Sequence, residues 1–343
     1  MRYAGDMLTH SRDMLTRGKL PVDLLKTCIA GSGARDSRVL IGPRFGEDCA
    51  VIDIGEQYLI TKTDPVTFTA EEIGWYAVHV NANDVATMGA RPLWFQTCLL
   101  FPANTTETEV HQVFLQIDTT CQELGIAVTG GHTEVTNAVT RPVVIGDMHG
   151  LVAKDRLITS GGARPDDLVV MTKTAGIEGT SILAMEKTAE LRSYLGTSTL
   201  HEAQQLRHTP GISVVPEALL AAEHGVTAMH DPTEGGIAMG LYELATASDI
   251  GLTLDLDAIP ILPLTQRICQ VFNLNPLGII SSGTLLLTIP PARWPELQAA
   301  FHTQHIAAQV IGTVHQESGI RAFSGGKPAP FTYSETDELA KIL

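Results

Sequence analysis

The chain has 343 residues, 44% hydrophobic and 18% charged, with 38 Asp and Glu against 23 Lys and Arg for a formal net charge of −15. That length and apolar fraction allow two domains, each with its own core, and exclude wholesale disorder. The acidic balance, with no basic run to offset it, excludes a general nucleic-acid binder, and a polyphosphate ligand would need metal to neutralise it.

Residues 1–20 are polar and mixed in charge, with no apolar leader core, and no stretch reaches the length of a membrane span, so a soluble cytoplasmic protein is expected. Cysteines at 28, 49, 98, 121 and 269 show no CxxC spacing and fit reduced, buried thiols. Residues 6–30 predict an amphipathic helical lead-in that ends at Gly31-Ser32-Gly33. AVIDI (50–54) and YLITK (58–62) flank Gly55-Glu56-Gln57 as a hairpin. A helix is expected from about Ala70, capped by Thr69 with Glu72, and a second from Thr106 with Glu109, closed by Gly125. The second carries a stripe of Val110, Val113, Ile117, Cys121 and Leu124. PLWFQTCLLF, IAVTGG and RPVVIGDMHGLVA read as strands, and 155–167 is the best junction between two halves. Beyond it strands and helices alternate, with helices near 178–190, 214–224, 236–248, 264–272 and 293–304, which predicts a mixed α/β architecture. The expected organisation is a lead-in (1–37), an N-terminal domain (38–154), a C-terminal domain (155–330) and a loose tail (331–343).

The carboxylates carry the chemistry. A three-residue hairpin turn sets Ile54 opposite Tyr58 and, counting back, Asp48 opposite Asp64. Like charges facing across a strand pair need a cation between them or full solvation, and Mg2+ accepts a few carboxylates together with phosphate oxygens. Asn81, Asn83 and Asp84 sit mid-helix among apolar neighbours, although Asn and Asp are mediocre helix formers, and such an inconsistency marks a functional position. In GGHTE, read as a turn, Gly130 and Gly131 allow close backbone approach to a ligand, and His132 and Glu134 offer acid–base groups. HDPTEGG (230–236) repeats the strand–acid–glycine–helix order, with a helix N-terminus open to an anion or simply capped by Thr233. Neither a P-loop, a Rossmann fingerprint nor a GxSxG elbow is present.

Taken in order, FGEDCAVIDIG, KTDPV, NANDVATMGARP, GGHTEVT and HDPTEGG resemble the PurM-like, or aminoimidazole ribonucleotide synthetase-related, ATP-binding superfamily over about residues 38–315. HDPTEGG and GGHTEVT look most like its hydrogenase-maturation HypE branch. The resemblance implies a two-domain fold, a homodimer, and ATP with Mg2+ held by Asp48, Asp64 and Asp84. It implies nucleotide contacts from Lys62, Asn83, Gly130, Gly131, Thr133 and Asp231, with His132 and Glu134 as catalytic groups. The chemistry implied is ATP-dependent phosphorylation of a carbonyl, amide or phosphate group of a small-molecule acceptor. The alternatives are a kinase resembling thiamine-monophosphate kinase, or a non-catalytic nucleotide-binding partner of another maturation protein. The chain departs from the pattern in three places. His132 stands where most members have an aspartate, Glu234 replaces an arginine, and no cysteine follows Cys269, whereas HypE carries its carbamoyl group on a terminal cysteine.

Overall fold

The computed structural model describes residues 20–31, 33–44, 46–66, 71–334 and 336–343, so the lead-in before Leu20, Ser32, Phe45 and the expected cap Thr69 lie outside the described residues. Helix α1 (Val22–Ile29) is the described part of the lead-in and buries no residue. The first half builds a sheet from β1 (Val39–Ile41), β2 (Ala50–Asp53), β3 (Gln57–Val66), β4 (Arg91–Pro102), β5 (Ala127–Thr136) and β6 (Val143–Ala153), with α2 (Ile73–Thr87) and α3 (Glu107–Leu124) between them in sequence. The strands lie in the order β1-β2-β3-β6-β4-β5, antiparallel except for the parallel β4–β5 pair at one edge.

The second half contains β7 (Leu168–Thr172), α4 (Ile177–Glu186), α5 (Thr188–Leu195), α6 (Thr197–Gln205), α7 (Val215–Ala222), β8 (Ala228–His230), α8 (Gly236–Ser248) and β9 (Gly251–Asp255). It continues with α9 (Pro263–Phe272), β10 (Leu286–Ile289), α10 (Trp294–Thr303), β11 (Ala308–His315), β12 (Gly319–Ser324) and β13 (Lys327–Ala329). Its sheet runs β13-β12-β9-β11-β7-β10-β8. Strand alternation gives that sheet two apolar faces. Val169, Met171, Ala228 and Leu286 pack with Ile237, Leu241 and Leu244 of α8. Val170, Met229, Leu285 and Leu287 pack with Ala218 and Ala221 of α7 and Leu297 and Phe301 of α10. The chain is therefore a mixed α/β protein of two sheets with helices, as its sequence pattern indicated.

The Thr106 cap forms as expected: Glu109 N–H donates to Thr106 Oγ1 (3.2 Å) and Thr106 N–H to Glu109 Oε2 (2.7 Å), while Gly125 takes the left-handed conformation at the other end. Such a cap contributes about 1 kcal/mol. Four expectations need correction. First, Ile54 N–H donates to Gln57 O, leaving Gly55-Glu56 alone as the turn, and Asp53 rather than Ile54 faces Tyr58. The register thus shifts by one residue, and Asp48 does not oppose Asp64 in the ladder; it lies in the irregular segment before β2. Second, α2 starts at Ile73, and Glu72 stands at its N-cap position in a left-handed conformation without a side-chain cap; its carboxylate instead binds Arg207 Nε (2.5 Å) and His208 Nε2 (3.1 Å) from the second half. Third, GGHTE is no turn; β5 runs straight through it at the sheet edge. Gly131 has φ +146, and a Cβ there would stand 2.1 Å from Thr97 O, so only glycine lets β5 lie this close to β4.

The fourth correction concerns the end of the sequence. Residues 327–329 form β13, and the segment after it is docked. Leu339 is fully buried, Ile342 and Leu343 pack on the core, and Glu338 binds the 275–278 turn through Asn275 N–H (3.1 Å) and Gly278 O (3.1 Å). Asp337 accepts from Gly235 N–H at 2.8 Å, so the chain's own carboxylate sits at the α8 N-terminus, for which the sequence leaves open an external anion or a Thr233 cap.

Candidate active site

Helix α2 is buried on nearly all sides, between the first sheet, α3 and α7 of the second half, so its polar residues lie on the seam between the halves. Asn83 is fully buried, and its amide is spent on that seam: Nδ2 donates to Ile212 O (2.8 Å) and Oδ1 accepts from Val214 N–H (2.8 Å). The next residue along the helix, Asp84, points to a different part of the seam. There carboxylate oxygens of Asp48, Asp84 and Asp231 all lie within 4.8 Å of one another. Asp48 comes from the loop before β2, Asp84 from α2, and Asp231 from the residue after β8.

Burial, then the charges of Asp84 and Asp48, hold the Asp231 carboxyl well above its usual range, and both its oxygens are buried with no hydrogen-bond donor among the described residues. Burial likewise pushes Asp84 up to about 6, although the Lys62 ammonium 2.9 Å away opposes it. Burial pulls Lys62 down, but Asp84, Asp64 and Asp48 outweigh it and hold the amine well above its ordinary value. Lys62 also reaches Asp64 at 3.7 Å. Asp64 thus adds charge through Lys62 and stands outside the close trio, whose third member is Asp231. Cys49, next to Asp48, is buried, and burial followed by the Asp84 charge pushes its thiol well above the ordinary range.

Three carboxylates of which one has two orphaned oxygens form a donor set suited to a hard divalent cation such as Mg2+. Two further groups are not singled out as site residues by the sequence, although His230 opens the HDPTEGG motif. His230 stands between Asp48 (2.9 Å) and Glu243 (3.1 Å), and although burial pulls its pKa down, the two carboxylates hold it well above the ordinary value. Glu178, at the start of α4, is 5% exposed with a buried, unpartnered Oε2, and burial pushes its carboxyl up to about 7. Glu234 adds a negative charge that raises Glu178 further. Gly236 (φ +64) lets the turn after Asp231 pass Leu277 and Ile279, since a Cβ would meet their carbonyls at 2.5 Å.

His132 and Glu134 are elsewhere. They pair with each other at 3.2 Å on exposed β5, with side chains 65% and 47% exposed. Gly130 and Thr133 share that edge strand. Asp64 on β3 shares a row with Gly146, Thr97 and Gly131, three strand spacings across, which is roughly 14 Å. Within one chain these groups do not join the carboxylate trio.

Fold and site together define a two-domain α/β protein whose carboxylate centre is assembled across the domain seam. Family models described as AIR synthase related protein, N-terminal domain and C-terminal domain, match residues 46–152 and 164–324. The chain belongs to the AIR synthase-related, PurM-like family, among its HypE-like members. It is 30% identical over 263 residues to the carbamoyl dehydratase HypE of Cupriavidus necator, covering 74% of this chain and 70% of that protein. In fold it is similar to ThiL complexed with AMPPCP and TMP (TM-score 0.72, 20% identity, 94% of this chain and 99% of that one). It is also similar to the hydrogenase maturation protein HypE in complex with ATP (TM-score 0.66, 21% identity, 93% and 92%). Among the described residues no helix is long and apolar enough to cross a membrane.

Proposed function

We propose that the protein binds ATP with Mg2+ at Asp48, Asp84 and Asp231, and transfers the γ-phosphoryl group to a carbonyl, amide or phosphate oxygen of a small molecule. The observation that carries this reading is Asp231, whose two buried oxygens have no donor among the described residues while two further carboxylates crowd it. Mg2+ would supply charge neutralisation for the phosphates. Lys62, held by Asp84 and Asp64, supplies a positive charge beside the centre and orients a phosphate oxygen. In the transfer the acceptor oxygen forms its bond to the γ-phosphorus, the bond to the β–γ bridging oxygen breaks, and ADP leaves. HypE relatives named carbamoyl dehydratase, and folds crystallised with ATP or AMPPCP, favour a nucleotide here.

Isothermal titration with ATP should give binding in the wild type only with Mg2+, and none in Asp84→Asn plus Asp231→Asn. Absence of binding in the wild type, or unchanged binding in the double variant, would sink the proposal. Product analysis then separates the readings. Phosphate retained on the acceptor identifies a kinase, free phosphate an activating enzyme, and bound nucleotide without turnover a partner of another maturation protein.

We also infer a homodimer that covers the β5 edge. Val128 and Val135 on that edge strand, which pairs only with β4, are 50% and 62% exposed, an arrangement that single proteins avoid leaving open. For His132 and Glu134 to act catalytically, a second copy seated there would have to bring them to the partner's carboxylate centre. Mixing an inactive His132→Ala, Glu134→Ala protein with inactive Asp84→Asn protein should restore roughly a quarter of the sites. A monomeric mass in solution, or no recovery from mixing, refutes it.

A further inference from the structure

We propose that His230 and Glu243 act as a bracket that positions Asp48 for the metal across the domain seam. The inference rests on the divalent-cation reading of the centre, and it assigns a task to two residues that take no part in holding the ion themselves.

The three carboxylates are fixed in unequal ways. Asp84 is part of a buried helix, where its carbonyl also receives the Thr87 hydroxyl at 2.7 Å. Asp231 follows directly on β8, which is paired through His230, Met229 and Ala228 with Leu286, Leu287 and Thr288 of β10. Asp48 belongs to a segment without regular structure and, unlike Asp231, adjoins no strand directly; its side chain is 21% exposed. A carboxylate on an irregular loop samples several rotamers, and each must be given up when an ion binds. Something else has to hold it.

His230 does so from the opposite half. Its Nδ1 lies 2.9 Å from Asp48 Oδ2 and its Nε2 3.1 Å from Glu243 Oε2, with the ring itself 3% exposed. Nε2 is hydrogen-bonded to Glu243 and Nδ1 lies at ion-pair distance from Asp48, so the ring is held between the two carboxylates and a flip would exchange both contacts. Strand alternation places His230 on the sheet face that α8 covers, and Glu243 lies about two turns into that helix, a rigid anchor with an 11% exposed side chain. Ser160 Oγ, which donates to Met229 O at 3.1 Å, lies 3.3 Å from the same Nδ1 and holds that edge of the ring beside Asp48. The dipeptide His230-Asp231 therefore does two things at once: one residue contributes a carboxylate to the trio, and its neighbour fixes the carboxylate arriving from the other half. Outer partners of this kind orient metal-binding groups, and losing them commonly costs 10–100-fold in metal affinity.

A purely structural ion pair would have the same contacts, so the test must separate positioning from packing. Mn2+ binding to the full-length chain, followed by electron paramagnetic resonance without nucleotide, reads the centre directly. His230→Gln and Glu243→Gln are each expected to weaken Mn2+ binding roughly 10–100-fold. The double variant should regain part of that loss, because the amide introduced at position 230 can donate to Asp48 while accepting from the amide introduced at position 243. Two results overturn the proposal: unchanged Mn2+ affinity in the folded single variants, or an equal loss in singles and double accompanied by a lowered unfolding temperature. Asp231→Asn is the control for the underlying reading. If the wild type binds no Mn2+, or Asp231→Asn binds it as well as the wild type, the metal centre itself is wrong; if only the bracket variants match the wild type, the bracket alone is.

Discussion

Asp231→Asn is expected to unfold at a higher temperature than the wild type in chelator, and at a lower one in saturating Mg2+. The first half follows from crowding. Burial and two neighbouring carboxylates raise Asp231 well above its usual range, and neither of its oxygens finds a donor among the described residues. In the metal-free protein at neutral pH that group either keeps a proton the solvent would take or carries an uncompensated buried charge. Asparagine has nearly the same shape and no charge, and removing such a penalty is worth roughly 1–3 kcal/mol. The second half follows from linkage. An ion that binds only the folded wild type stabilises it by about 2.7 kcal/mol at a hundred times its dissociation constant, and the variant forgoes that gain. Thermal unfolding of both proteins, with EDTA and with Mg2+, checks the crossover. A variant less stable than the wild type in EDTA, or one that gains as much from Mg2+, contradicts the assignment.

Glu178→Gln should change the pH dependence of stability by about 3 kcal/mol. Burial raises the Glu178 carboxyl from 4.5 to about 7 in the folded protein. Below pH 4.5 it is protonated whether the chain is folded or not, and it imposes no penalty. As the pH rises toward 7 the unfolded chain gives up this proton and the folded chain keeps it, so stability falls; above 7 the loss is complete. Glutamine cannot titrate, and the variant escapes the decline. The quantity to measure is the difference in unfolding free energy between variant and wild type at pH 8, minus the same difference at pH 4.5. Constant packing effects of the substitution cancel in that subtraction. A value near zero would mean that Glu178 titrates normally in the folded state.

Local chemistry was legible in the sequence where short-range rules decide the outcome. The Thr106–Glu109 box formed because both partners lie within one helical turn. The strands and most helices of the second half follow their apolar periods, whereas α6, β12 and the docked segment after Ala329 carry little local signal because long-range partners create them. Hairpin register was less secure, since a two-residue and a three-residue turn differ by one position and Gly55-Glu56-Gln57 suits both. Asp48, Asp84 and Asp231 could each be singled out from motif context, but the meeting of the three is a tertiary fact. Asp231 displaced Asp64 as third member of the trio for that reason. Glu72 looked like a cap and Asn83 like a nucleotide contact; both are engaged by residues more than a hundred positions away, Glu72 by Arg207 and Asn83 by Ile212. Glu243 is one acidic residue on an ordinary helix until the fold sets His230 against it.

The seam has a consequence for how such proteins can be recombined. The segment 46–152 contributes Asp48 and Asp84, while 164–324 contributes Asp231, His230 and Glu243. A chimera that joins one half to the other half of a relative would inherit two partial sites whose matching parts were never selected together. The natural unit of exchange is thus the interface itself, with loop 46–49, the 81–84 turn of α2 and residues 230–243 moved as one block.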